Sequence, residues 1–144
     1  MIGYLSASRS ICTERQKIIV SREKRSKHTA YNVGNCAVRH YRIDEDVISG
    51  NQTKKCDYLV LNDDKLQAYF IELKGVDVNA IPEQIEATIN LLKGELIGYI
   101  FHSRIVCKRI PRTRPSGWLK HDILCRKRGG TFYAKSDGEY SEDI

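Results

Sequence analysis

Two long apolar runs stand out in the pattern of hydrophobic and polar positions along the chain. They cover residues 58–61 and 66–73, and neither shows a regular alternation of apolar and polar residues. Strands that are covered on both faces have this continuous pattern, so the two runs are predicted to be central strands of a sheet. The polar residues 62–65 between them favour a chain reversal, which makes the two strands a hairpin.

Other segments have periodic patterns. Residues 36–43 and 97–107 alternate as strands do, and residues 131–135 form a shorter strand candidate. Between residues 81 and 92, apolar side chains recur every three or four positions, which predicts an amphipathic helix. A short helix is expected to begin near Ser116, and residues 136–144 are expected to form a loose tail.

The N-terminal region is ambiguous. Thr13 and Gln16 have the spacing of a capping box, which favours a helix over residues 14–24. Residues 17–20, however, also suit a strand. Taken together, the elements predict one α/β domain over residues 1–144, with a core at roughly 36–110 and a central mixed β-sheet flanked by helices.

Charge is distributed unevenly over this domain. Residues 1–42 contain nine basic and two acidic residues, residues 43–100 contain five and eleven, and residues 101–144 contain ten and five. Basic segments on both sides of an acidic middle suit a polyanion such as nucleic acid. The alternative is ordinary solubilising charge on an exposed surface.

Three ionisable residues lie at the ends of the apolar runs, namely Asp57, Glu72 and Lys74. A buried charge is costly unless it has a partner, so these residues should have partners or a task. Glu72 and Lys74 are two positions apart and share a strand face. In the predicted hairpin, Asp57 falls roughly opposite Leu73 and within reach of Glu72. Two carboxylates and a lysine at a strand end form an oxygen site for a hard divalent cation.

An aspartate, an apolar spacer and then Glu-Leu-Lys resembles the PD-(D/E)XK nuclease superfamily, although Cys56 stands where the motif has proline. The resemblance covers roughly residues 43–101 and implies a restriction-endonuclease-like core and Mg²⁺- or Mn²⁺-dependent cleavage of phosphodiester bonds. It implies that Asp57, Glu72 and the backbone carbonyl of Leu73 hold the metal. Lys74 would then orient the attacking water, and Gln84, early in the next helix, would position a water or a phosphate.

The resemblance leaves a further acidic ligand open, with Glu14, Glu23 and residues 44–46 as candidates. The basic residues expected to contact nucleic acid, with DNA favoured over RNA, are Lys54, Lys55, Arg109, Arg112 and Arg114.

The main alternative is a catalytically inactive nucleic-acid-binding or regulatory subunit that keeps the nuclease fold. The small size suits a homodimer or a partner protein. No apolar run is long enough to span a bilayer, and a cytoplasmic location with reduced cysteines is expected. The sequence has no glycine-rich phosphate loop and no evident Ser/His/Asp set.

Overall fold

The computed structural model describes residues 3–48, 55–74, 80–110 and 112–144, with the side chains of Glu45 and Lys74 outside that description. Within these ranges two α-helices are present, α1 (Ile81–Leu92) and α2 (Ser116–Lys127). The strands of the same ranges are β1 (Ile18–Glu23), β2 (Ser26–Tyr31), β3 (Val38–Arg42), β4 (Tyr58–Asn62), β5 (Gln67–Lys74), β6 (Ile100–Cys107), β7 (Phe132–Lys135) and β8 (Glu139–Asp143).

The strands form two sheets. The large sheet has the order β3-β4-β5-β6-β7, in which β3, β4 and β5 are antiparallel neighbours and β5, β6 and β7 are parallel neighbours. The small sheet has the order β1-β2-β8, with β1 antiparallel and β8 parallel to β2. The predicted α/β class and the mixed central sheet are therefore confirmed.

The large sheet is buried on both faces. Its residues Leu59 and Phe70 pack in one apolar cluster with both α-helices, and Val60 and Ile71 pack in a second cluster with β1 and β2 of the small sheet. This burial explains why the two long runs are apolar without alternation. The sequence predicted helices as the flanking elements, whereas in the described residues a second sheet covers one face. No described helix is long and apolar enough to cross a membrane.

The most accurate prediction is helix α1, which rested on apolar side chains recurring every three or four positions. Helix α1 begins and ends as predicted, and its apolar stripe of Ile81, Ile85, Ile89 and Leu92 is fully buried. Pro82 lies in its first turn, where no backbone N–H is needed. The β4–β5 reversal falls at residues 63–66, one position later than predicted, with Leu66 at a φ of 56°.

Two predictions at the chain ends are wrong. Residues 18–23 are strand β1, as the alternative for residues 17–20 allowed, and not part of a helix over 14–24. The capping-box contact does form, with the Thr13 N–H donating to Gln16 Oε1 at 3.2 Å, but it closes only a turn. The β-branched residues that follow pair with β2 instead. The expected loose tail contains β8, because its backbone completes the small sheet beside β2.

Candidate active site

A cavity of about 250 Å³ lies where β4 begins, β5 ends and α1 starts. Four residues predicted to hold the metal or to act in catalysis line it together, namely Asp57, Glu72, Leu73 and Gln84. We call this cavity the strand-end pocket. The fold brings these residues together because β4 and β5 are hairpin partners and α1 follows β5 in the crossover to β6.

The backbone of β5 holds the Asp57 carboxylate. Tyr58 pairs with Ile71, so Asp57 is level with Glu72, one position from where the sequence placed it. The Asp57 N–H donates to the Ile71 carbonyl at 3.1 Å, and the Leu73 N–H donates to Asp57 Oδ2 at 2.8 Å. A charge-assisted bond to a backbone amide fixes both the place and the orientation of this carboxylate.

Glu72 is the most deeply buried acid of the pocket, with 2% of its surface exposed. It lies on the same sheet face as Phe70, toward the helices. The pKa of the neighbouring Cys56 thiol reflects the negative charge at this point. Burial raises its pKa well above the usual value, and the carboxylates of Glu72 and Asp57 raise that pKa further.

Helix α1 reaches the pocket through Gln84. The side-chain oxygen Oε1 of Gln84 is buried and has no hydrogen-bond partner among the described residues. One turn later, the fully buried Thr88 donates from its hydroxyl to the Gln84 carbonyl at 2.9 Å and accepts from the Cys56 N–H at 2.8 Å. Thr88 therefore fixes α1 against the segment that carries Asp57.

Four further described residues line the pocket: Glu23, Lys24, Asp44 and Lys55. Lys55 Nζ lies 3.4 Å from Asp44 Oδ1, so the predicted nucleic-acid residue Lys55 is paired at the rim. Of the acids left open by the sequence, Glu23 and Asp44 are therefore beside Asp57 and Glu72. Glu14 and Asp46 are exposed and do not line the cavity.

The remaining predicted residues are Lys54, Lys74 and three arginines in the loop after β6. Lys74 is the last residue of β5, but its side chain lies outside the described part of the chain, as does all of Lys54. Cys107, the end of β6, pairs with Lys74, so the segment carrying the basic loop leaves the sheet at the edge of the strand-end pocket. The three predicted arginines of that loop, Arg109, Arg112 and Arg114, are exposed.

The fold also assembles a polar set that the sequence did not predict. Ser103 Oγ lies 2.7 Å from His121 Nε2, and His121 Nδ1 lies 3.1 Å from Glu86 Oε1. Arg128 donates two bonds to Glu86 at 3.0 and 2.9 Å. We call Glu86, Ser103, His121, Cys125 and Arg128 the interhelix cluster.

The contacts from Ser103 to His121 and from His121 to Glu86 are those of a hydrolytic triad, but the serine is unsuited to catalysis. Ser103 is fully buried, so its hydroxyl is shielded from solvent, whereas Glu86 and His121 line a cavity of about 360 Å³ between α1 and α2. Burial lowers the pKa of His121, but hydrogen bonds to Cys125 and Glu86 raise it by more, to about 9. The cluster is therefore a charged contact that joins α1, α2 and β6. No sequence signal could have found it, since its members are scattered over three elements.

The donor chemistry of the strand-end pocket suits a hard cation. Within the described ranges, no three or more His, Cys, Asp or Glu side chains gather into a metal-binding group. The pocket is instead lined by four acids, among them Asp57 and Glu72, by a side-chain amide oxygen without a hydrogen-bond partner in the described chain, and by Leu73. Oxygen donors of this mixed kind are those that Mg²⁺ and Mn²⁺ accept, with water completing the coordination.

Comparison of the chain with models of known families, with characterised proteins and with solved structures finds no match.

Proposed function

We propose that this protein is a metal-dependent nuclease that hydrolyses phosphodiester bonds, with DNA as the favoured substrate. The observation that carries the proposal is the convergence of Asp57, Glu72, Leu73 and Gln84 in one pocket at the ends of paired strands. These residues are 27 positions apart at their extremes in the sequence. Their meeting in one concave site is what a catalytic site requires and what a surface carboxylate–lysine pair does not.

The metal expected here is Mg²⁺ or Mn²⁺. Asp57 and Glu72 would supply charged ligands, the Leu73 carbonyl a neutral one, and the buried Gln84 Oε1 a further neutral oxygen. When bound, such a cation polarises the phosphate and lowers the pKa of a water molecule in the site. The Leu73 N–H would keep Asp57 in place throughout, since it already donates to Oδ2.

The protein groups around this centre have separate tasks. Burial of Glu72 places its charge in a low-dielectric setting, where attraction to a cation is stronger than at the surface. Gln84, held in line by Thr88, would orient a water or a phosphate oxygen. Lys74, two residues after Glu72 on β5, would stabilise the negative charge that develops on the phosphate during attack.

The element order supports a restriction-endonuclease-like core as part of the proposal. Three antiparallel strands, β3 to β5, lead through helix α1 into the parallel strand β6. The acids lie at the end of the central hairpin, where the crossover to α1 begins. Ligands of open α/β sheets commonly bind at this edge, beyond the carboxyl ends of parallel strands.

The test compares three conditions on supercoiled DNA, linear DNA, single-stranded DNA and RNA. Ca²⁺ accepts the same oxygen ligands at longer distances and should support binding with little cleavage. Mg²⁺ or Mn²⁺ added afterwards should release product, and EDTA should leave only weak binding. Equal binding in EDTA, Ca²⁺ and Mg²⁺ with no product under any metal would instead identify a binding module that does not cut.

A further inference from the structure

The β1–β2 hairpin brings a basic tip to the strand-end pocket. Glu23 ends β1 and pairs with Ser26 at the start of β2, so Lys24 and Arg25 form a two-residue turn. Lys24 lines the pocket that contains Asp57 and Glu72, although it is more than 30 positions away from them in the sequence. The tip belongs to the small sheet, whereas the acids belong to the hairpin of the large one.

The tip is held firmly in this position from two sides. Tyr58, which directly follows Asp57, donates from its hydroxyl to the Arg22 carbonyl at 2.7 Å. On the other side, the Lys27 N–H donates to the Gly138 carbonyl at 2.8 Å. Gly138 has a φ of +76°, and a Cβ there would lie only 2.9 Å from the Arg25 carbonyl oxygen, so this contact requires glycine.

Lys24, in the tip, and Lys27, just after it, differ in whether they have an acidic partner among the described residues. Lys27 faces Glu139 at 3.4 Å and is therefore partly neutralised within the small sheet. Lys24 is exposed, and within the described part of the chain it forms no ion pair. Its φ of 52° is unusual for a residue with a side chain and costs about 1 kcal/mol. A lysine beside acidic residues in a concave site is suited to an anion that is brought there together with a cation.

We infer that the tip of the β1–β2 hairpin is a nucleic-acid contact, in which Lys24 binds a backbone phosphate of DNA adjacent to the phosphate in the strand-end pocket. This inference rests on the proposed nuclease function and extends it to the substrate-binding surface. A contact of this type positions the strand without reading its bases. Because Tyr58 follows Asp57 directly, its hydrogen bond to the Arg22 carbonyl then couples the position of the DNA strand to the position of Asp57.

The decisive variant is Lys24→Asn, because asparagine tolerates a positive φ better than most residues and removes the charge. Binding of a fluorescein-labelled DNA duplex is measured in Ca²⁺ over a range of salt concentrations. Losing one phosphate contact should reduce the magnitude of the negative slope of log K against log[salt] by about 0.9, so that binding weakens most at low salt. Calorimetry with Ca²⁺ alone should give the wild-type metal affinity, since Lys24 donates no ligand.

Two controls separate this role from general charge and from folding. Lys27→Gln, on the same hairpin but paired with Glu139, should retain the wild-type slope. Lys24→Gly, which removes the strain of the positive φ as well as the charge, should be at least as stable as wild type and show the same reduced slope as Lys24→Asn. Agreement between Lys24→Asn and Lys24→Gly excludes misfolding as the cause.

The outcomes distinguish this inference from the nuclease proposal. A slope unchanged in both Lys24 variants would overturn the hairpin contact, whether or not the wild-type protein cuts DNA. Wild-type protein that binds but never cuts would overturn the nuclease proposal, while a reduced slope in the Lys24 variants would still support the contact. A slope reduced equally by Lys27→Gln would also overturn it, because the effect would then belong to net charge.

Discussion

The strand-end pocket and the interhelix cluster lie on different sides of the same helix, α1, and are built from similar residue types. In the interhelix cluster, Glu86 is satisfied by two bonds from Arg128 and by His121. Among the described residues that line the strand-end pocket, four are acids and two are lysines. A polar group whose partners all come from the protein contributes to stability, whereas an excess of one charge in a cavity suits a ligand of opposite charge.

The comparison predicts opposite responses to the loss of a carboxylate. Asp57→Asn and Glu72→Gln should each reduce cleavage by at least about 100-fold, because each removes a charged metal ligand. Neither should lower the thermal midpoint of the metal-free protein, since each relieves repulsion between acids. Cleavage assays and thermal unfolding in EDTA measure the two effects. Wild-type activity in both variants would remove these residues from the site.

On the other side of α1, Glu86→Gln should cost stability and leave chemistry intact. The change removes the charge that holds His121 and Arg128, and the expected loss is about 2 kcal/mol in urea unfolding. Activity per folded molecule should stay near the wild-type value. Glu139→Gln is the matched control, since the exposed pair with Lys27 is the one ion pair of Glu139 among the described residues. A stable but inactive Glu86→Gln protein would show that the comparison assigns the wrong role to this cluster.

A smaller effect is expected where α1 supports the pocket. Thr88→Val keeps the shape but removes the hydroxyl that joins the Gln84 carbonyl to the Cys56 N–H. We expect kcat to fall about tenfold through misplacement of Gln84, with little change in KM. Thr88→Ser retains the hydroxyl and should recover most of the rate. Equal kcat in the valine and serine variants would show that the hydroxyl does not position the site.

The smallest predicted effect is the pH dependence of the interhelix cluster. Because the folded pKa of His121 is raised to about 9, its contribution is complete below about pH 6.5 and is lost as the pH rises through 9. Burial raises the pKa of Glu86, but His121 and Arg128 lower it by more, to about 2, so that contribution is lost only as the pH falls from about 4.5 toward 2.

Two other histidines change the stability with pH in the opposite direction to His121. Burial is the main cause that lowers the pKa of both His40 and His102 to about 4, so their contribution is lost as the pH falls below about 6.5. Stability should therefore be greatest near pH 6.5. From there to pH 9, the free energy of unfolding measured in urea should fall in wild type and should fall by less in Glu86→Gln. Equal losses in the two proteins would assign the dependence to other groups.

The sequence predicted the elements whose burial leaves a strong pattern. The continuous runs of β4 and β5 and the stripe of α1 follow directly from burial on two faces and on one face, and these elements carry Asp57, Glu72 and Gln84. Of the small sheet, the sequence offered β1 alone, as an alternative to a helix, because the strands alternate many polar residues and because β8 obtains its partner from the other end of the chain.

Three other wall residues, Glu23, Asp44 and Lys55, were candidates from the sequence, but their place beside Asp57 could not be predicted, for a related reason. Lys24 reaches the pocket only through the packing of the small sheet on the large one, and Asp44 through a helical turn at Ile43–Val47. Packing between separate elements leaves no periodic signal in the sequence. Local motif spacing thus predicted which residues meet at the centre of the pocket, but not which of the other candidates line its wall.

The parallel pairing of β8 with β2 has a consequence for how the protein folds. Glu142 accepts from both His28 and Arg104, and His28 and Glu142 are 114 positions apart in the sequence. A contact between residues so far apart in the sequence forms late, because closing the long loop between them costs chain entropy before the contact can stabilise the fold. During synthesis, the β1–β2 hairpin must therefore wait for residues 139–143, with one edge of β2 unpaired. We expect the large sheet to form first and the small sheet to close last, so slow refolding phases should be found in β2 and β8 amides.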